Sequence, residues 1–199
     1  MQMKEIGQTY HKNLLKALSE EFEFKIPSKT KIKKEITIYR NKNYLELLES
    51  KLSLDSNNET LYSRIKRPSF SQVILINESE EVLFQLRYRI GCENYVLELP
   101  GGAIEQDESP KRAAERELEE ELGIKRINLI EAGSFYMDPM RSEYKGYFFK
   151  SKYLNTLQPF TSIVKGELEE SHFFWMGVRQ SQKYFSLMAS STIIGLYLT

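Results

Sequence analysis

The chain has 199 residues, 28 of them basic and 28 acidic, so its formal charge is zero and nothing in the total favours a polyanionic partner. Hydrophobic residues make up 41% and charged residues 28%, which excludes a disordered chain and suits one ordinary domain with a real core. A single cysteine, Cys92, leaves no internal disulfide and no cysteine-based metal site.

The N-terminus lacks the uninterrupted apolar core of a signal peptide, and no stretch approaches the roughly 20 apolar residues of a membrane span. The lysines between Lys25 and Lys34 are too few and too mixed for a nucleic-acid patch. The expectation is a cytoplasmic protein that binds neither nucleic acid nor membrane.

Leu14, Leu15, Leu18 and Phe22 recur at helical spacing and predict an amphipathic helix over residues 8–23. Pro27 and the lysine-rich stretch after it read as a connector, so residues 1–35 form a helical extension. From Ile36 the texture changes to short strand-like runs, EITIY, YLELLESKL and ETLYSRI, with DSNNE as a hairpin turn between the last two. SQVILIN, VLFQLRYR and YVLELP are further strands, the last running straight into a glycine pair. A helix follows, then the strand-like LIEAGSFYM and EYKGYFFKSKYL. A loop with Pro159 and Gly166 leads to the strand SHFFWMGV, and QKYFSLMASSTIIGLYL reads as one closing helix. Strands on both sides of a central helix predict a layered α/β domain with a mixed sheet over residues 36–199, in which 36–66 supply N-terminal strands.

The central helix carries the chemistry. Ser109-Pro110 reads as an N-cap with proline at the first helical position, and Gly123 closes the helix. Glu119, Glu120 and Glu121 then fall in the last turn, at the negative end of the helix dipole. Glu117 and Glu121 add a like-charged pair four apart, which costs a few tenths of a kcal/mol. At about 100° per residue, Ala114, Leu118 and Leu122 share a core-facing stripe. Glu117, Glu120 and Glu121 occupy the neighbouring arc, with Arg116 at its flank. Converging carboxylates of this kind suit a hard divalent cation, which prefers oxygen ligands. A lone acidic run is more often a solvated face, so the surrounding residues must decide.

They do so by spacing. From Gly102 the order is five residues, Glu108, seven residues, then Arg116-Glu117-Leu118-x-Glu120-Glu121-x-Gly123-Ile124. This resembles the full signature of the Nudix hydrolase family, with every defining position matched. The resemblance implies an α/β/α sandwich that hydrolyses a nucleoside diphosphate linked to another moiety, using Mg²⁺ or Mn²⁺. It implies that Glu117, Glu120, Glu121 and the backbone carbonyl of Gly101 are metal ligands. Arg116 and Glu108 would pair to hold the loop against the helix.

Within the family, the chain is most similar to the ADP-ribose and ADP-sugar pyrophosphatase branch. Three places carry this: VLFQLRYRIGCENYVLELPGG, SFYMDPMRSEYKGYFF and GELEESHFFWM. Pro139 stands sixteen residues past Gly123, as a proline does in that branch. The branch implies phosphate contacts from Arg87, with Arg89, Arg64 and Arg67 as further candidates. It also draws a general base from a late loop, where Glu167 matches best and Glu169 and Glu170 compete. His172 lies in a predicted strand and reads as a packed residue; His11 has no catalytic case. Trp175 and the Phe135-Tyr136 and Tyr147-to-Phe149 aromatics read as core.

Members of the branch are commonly homodimers. The early strands would then form the dimer contact, with Tyr39 or Tyr44 offered to a base. Two other readings stay open. One is a Nudix enzyme for GDP-mannose, a damaged nucleoside triphosphate or a dinucleoside polyphosphate. The other is a non-catalytic, nucleotide-sensing domain.

Overall fold

The computed structural model describes residues 2–23, 25–26, 29–41, 45–53, 59–153, 160–162 and 170–199. The chain forms two compact units, residues 1–36 with 49–62, and residues 37–48 with 63–199.

The first helix, α1 (Gln2–Glu21), begins earlier than the apolar spacing suggests. The lysine-rich stretch expected to be a connector instead opens strand β1 (Lys31–Arg40). Ile32, Ile36 and Ile38 sit at even positions there, so the period of two survives the lysines. Every described residue of β1 is exposed, and lysines are well tolerated on such a strand. Strands β2 (Glu46–Ser53) and β3 (Glu59–Lys66) complete a three-stranded sheet in the order β1-β2-β3. The turn DSNNE lies mostly outside the described residues. Ser50 Oγ donates to Glu35 Oε2 at 2.6 Å, and Lys33 and Lys51 both pair with Glu59.

The larger unit is built on an eight-stranded mixed sheet. Its strands are β4 (Phe70–Ile76), β5 (Glu81–Arg89), β6 (Asn94–Glu98), β7 (Gly101–Ala103), β8 (Ile130–Tyr136), β9 (Lys145–Lys152), β10 (Phe160–Ser162) and β11 (Ser171–Gly177). The order is β10-β11-β5-β4-β9-β8, with β6 paired to β5 and β7 to β4. Only the β4–β9 ladder is parallel among these pairs.

Alternation along the central strands gives both sheet faces an apolar coat. Val73, Leu75, Leu83 and Phe173 meet Ala114 and Leu118 of α2 (Pro110–Leu122) on one face. Ile74, Val82, Phe84, Leu97 and Met176 meet Leu196 of α4 (Ser190–Tyr197) on the other. The result is an α/β/α sandwich, as expected.

Two boundaries differ from the sequence reading. The strand through YVLELP stops at Glu98, and the glycine pair begins β7 rather than a simple turn. Pro100 supplies no N–H, but its carbonyl accepts from Val73 N at 2.9 Å. The expected closing helix is also broken: α3 (Val178–Ser181) runs into a 3₁₀ segment (Gln182–Leu187), and α4 starts only after Ala189. The break is made by strand β6, because the Leu97 carbonyl accepts from Ala189 N at 3.2 Å and from Thr192 Oγ1 at 3.1 Å. Phe135 and Tyr136 are not core: they end strand β8 at 38% and 51% exposure. Phe148 and Phe149 are buried as expected.

The helix that bears the acidic cluster depends on its first turn. Ser109 has extended backbone and its Oγ accepts from Arg112 N at 3.3 Å. Ser109→Ala is expected to cost about 1 kcal/mol of unfolding free energy in urea titration, typical for loss of such a cap.

Candidate active site

Helix α2 ends at Gly123, which adopts φ 67° and donates its N–H to Glu119 O at 3.0 Å. Ile124 N reaches Leu118 O at 3.1 Å, a Schellman-type closure that satisfies the last carbonyls. No basic residue lies in the helix's own last turn. The positive charge its glutamates call for comes from one turn back and from the sheet.

Arg116 supplies the first part. Its Nε and Nη2 donate to the two oxygens of Glu108 at 3.1 and 3.2 Å, and Nη2 also reaches Ala103 O at 2.9 Å. Its Nη1 donates to Glu117 Oε1 at 2.8 Å and to Glu120 Oε2 at 2.9 Å. One planar guanidinium thus ties the loop after β7 to two glutamates of α2, a geometry that lysine cannot reproduce. Burial works against the charged guanidinium, but Glu108, Glu117 and Glu120 outweigh it and raise its pKa. Burial also pushes the Glu108 carboxyl up, yet Arg116 and the Glu105 N–H hold it below the usual carboxylate range.

Arg87 supplies the second part. Expected to reach the phosphates, it is only 3% exposed, on a strand flanked by others, and its Nη2 donates to Glu121 Oε1 at 3.0 Å. Glu121 is 4% exposed, and its other oxygen accepts from Gly101 N at 3.1 Å. The Arg87 Nε donates to Ser171 Oγ. Glu121 therefore sits beneath the cluster, Glu117 at its edge, and Glu120 outermost with a 47% exposed side chain.

The glycines are required by contact. At Gly101, with φ 140°, a Cβ would lie 2.1 Å from Ser71 O. At Gly102 a Cβ would lie 2.3 Å from Glu117 Oε1, filling the space in front of that carboxylate. Only glycine lets this backbone come so close.

Gly101, Gly102, Glu117 and Glu120 form part of an open cleft of about 1110 Å³, which Arg67, Arg87 and Arg89 also line. Arg89 is engaged with Glu98, its Nη2 donating to Oε2 at 2.6 Å. Arg67 lies over the Tyr144 ring at 3.8 Å, a cation–π contact at the cleft wall. Arg64 sits on β3 and does not line this cleft, and Pro139 is an exposed turn residue outside it. Glu170 is exposed just before β11; Glu167 and Glu169, like Tyr44, lie outside the described residues. His172 is exposed on β11 beside the Phe174 ring.

Ser171 and Tyr144 were missed by sequence reasoning. Ser171 is the strand partner of Arg87 in the β11–β5 register, a relation visible only once the pairing is known. Tyr144 stands among several tyrosines with nothing local to single it out.

The donor set suits a hard divalent cation: carboxylates, a backbone carbonyl, and an approach kept clear by the absent Gly102 Cβ. Among the described residues, no three acidic, histidine or cysteine side chains are already gathered as ligands. Arg116 draws Glu117 and Glu120 toward itself while Arg87 holds Glu121. Glu117 and Glu120 line the cleft with Glu98 and Glu105, and a cation held there would exchange with the guanidinium contacts of the first two.

Comparison with known proteins agrees with this geometry. The NUDIX domain family matches residues 66–190, and the chain belongs to that family. Over 109 residues it is 28% identical to the ADP-ribose pyrophosphatase of Bacillus subtilis, covering 55% of this chain and 56% of that protein. Over 59 residues it is 36% identical to the methanol dehydrogenase activator of Bacillus methanolicus, covering 30% of this chain and 32% of that one. The chain thus spans about half, or less, of the curated relatives it matches. The crystal structure of an ADP compounds hydrolase shares the fold, with a TM-score of 0.70 at 21% identity over 88% of this chain and 94% of that one.

Two outcomes follow from the geometry. Gly102→Ala is expected to lower metal-dependent turnover sharply while thermal unfolding stays near that of the unmodified protein, because only the Glu117 carboxylate must move. The depressed Glu108 pKa means that its contribution to stability is complete above the ordinary carboxylate pKa of about 4.3 and is lost as pH falls through the lower folded value. Urea unfolding of Glu108→Gln should therefore show a shallower loss of stability below pH ~4.3 than the unmodified protein.

Proposed function

We propose that the chain hydrolyses the diphosphate bond of a nucleoside diphosphate derivative, with ADP-ribose or an ADP-sugar as substrate and AMP and a sugar phosphate as products. The observation that carries this reading is the placement of Glu117 and Glu120 against Gly101-Gly102 at the wall of an open cleft, latched by Arg116. The partial match to an ADP-ribose pyrophosphatase supports the substrate class.

Glu117, Glu120, Glu121 and the Gly101 carbonyl would hold Mg²⁺ or Mn²⁺. When bound, such an ion neutralises phosphate oxygens and lowers the pKa of a coordinated water. The remaining work belongs to the protein. Arg67 and Arg89 bring positive charge to the cleft for the diphosphate, while Arg87 lies deeper and acts through Glu121. Arg64 and Pro139 do not line the cleft, so the proposed substrate contacts rest on Arg67 and Arg89. A glutamate from the late loop, Glu167 before Glu169 or Glu170, would take the proton from the attacking water. A loop suits that role because it completes the site only when substrate is bound.

In this reading residues 36–199 form the catalytic domain, and the enzyme acts as a cytoplasmic homodimer. The exposed isoleucines of β1, Ile32, Ile36 and Ile38, support a contact between copies. No described helix is long and apolar enough to cross a membrane.

Formation of nucleoside monophosphate, separated by chromatography, from a panel of nucleotide sugars, nucleoside triphosphates and dinucleoside polyphosphates, with and without Mg²⁺, tests the assignment. ADP-ribose should lead the panel, and turnover should vanish with chelator. Glu120→Gln should lower kcat by about 100-fold or more with the fold intact, at least matching the upper end for loss of an outer partner of a metal. Unchanged turnover in that variant, or equal rates with and without metal, would refute the reading.

A further inference from the structure

A line of buried polar contacts runs under the acidic cluster. Ser171 is fully buried at the first position of β11, and its Oγ accepts from Arg87 Nε. Arg87 Nη2 donates to Glu121 Oε1, and Glu121 Oε2 accepts from Gly101 N. The side chains of Arg87 and Glu121 are 3% and 1% exposed, so this ion pair is screened from water on both sides. Gly101 is fixed from the opposite direction too: Gln72 and Gln85 both donate Nε2 to the carbonyl of Leu99, at 3.3 and 3.2 Å.

We propose that Ser171 is a positioning residue for the metal site, setting the Glu121 carboxylate and the Gly101 backbone through the Arg87 guanidinium. This rests on the metal-dependent reading of the same cleft. Glu121 is gripped at both oxygens, by Gly101 N on one side and the Arg87 guanidinium on the other, and the orientation of that guanidinium is referenced to Ser171. Ser171 is the clamp. Arginine is needed between the two because its rigid plane carries separate Nε and Nη2 donors, one for the serine and one for the glutamate. A lysine would reach Glu121 and leave Ser171 behind.

The test uses the full chain. Mn²⁺ binding is followed by the electron paramagnetic resonance of free Mn²⁺, alongside kcat and KM for ADP-ribose and thermal unfolding. Ser171→Ala should weaken Mn²⁺ binding by about tenfold, within the range known for outer partners of metal ligands, and lower kcat by a similar factor with KM changed less than about twofold. Ser171→Thr, which keeps the hydroxyl, should restore both. Arg87→Lys, which keeps the charge but not the bridge, should show the loss even if Ser171→Ala folds poorly. Ser181→Ala provides the control, since it deletes an equally buried hydroxyl that donates to Val178 O at 2.7 Å, away from the cluster. Mn²⁺ affinity in Ser171→Ala or Arg87→Lys within about twofold of the unmodified protein overturns the proposal. So does an equal loss in Ser181→Ala, or failure of Ser171→Thr to recover. If the unmodified protein takes up no Mn²⁺, it is the metal-site reading itself that fails.

Discussion

Arg116 is shared by three carboxylates and a carbonyl, and the candidate site cannot be assembled without it. An acidic cluster at a helix C-terminus opposes both the helix dipole and its own like charges. The guanidinium offsets this locally by placing its donors where Glu108, Glu117 and Glu120 converge. Surface pairs nearby, Arg112 with Glu115 and Lys125 with Glu119, are largely exposed and contribute little by comparison. The latch also joins the chain entering the helix to the helix itself, so the loop and the acidic face move as one body.

Glu121 is held by a different logic. Two buried ions are costly to desolvate, and such a pair is a weak source of net stability. Its value lies in what happens if one partner is removed, because the survivor is left charged and unpaired at a cost of about 3–5 kcal/mol. Arg87 and Glu121 are thereby locked to each other, and the backbone at Gly101 is locked to both. The two arginines divide the cluster into an outer pair able to trade partners and an inner member that stays in place.

Much of this was legible in the sequence because punctuation residues did the marking. Ser109, Pro110 and Gly123 delimit the helix with no help from tertiary structure, and the order of Glu108, Arg116 and the glutamates carried the resemblance that paired them. Arg87 was harder. In VLFQLRYR, residues 83, 85 and 87 share one sheet face, and that face lies under α2, but that Arg87 is paired with Glu121 is visible only once the strand order is known. The lysines concealed only the start of β1, where their charge outweighed the isoleucine alternation; EITIY was legible as a strand. The closing helix was misread because its break is imposed by a hydrogen-bond acceptor on β6, far away in sequence. Aromatics at 135 and 136 were assigned to the core by type, whereas their position at the end of β8 exposes them.

The cleft has one wall on each side of the central sheet. Glu117 and Glu120 belong to the α2 layer, whereas Met188 to Ser191 belong to the α4 layer, and both border the same space. Behind the α4 wall lies the buried Leu99, against whose Cδ1 a Cβ at Gly195 would come within 2.4 Å. A side chain at 195 would drive α4 away from the sheet, so the seat of the Met188–Ser191 wall depends on a glycine that is not part of the cleft.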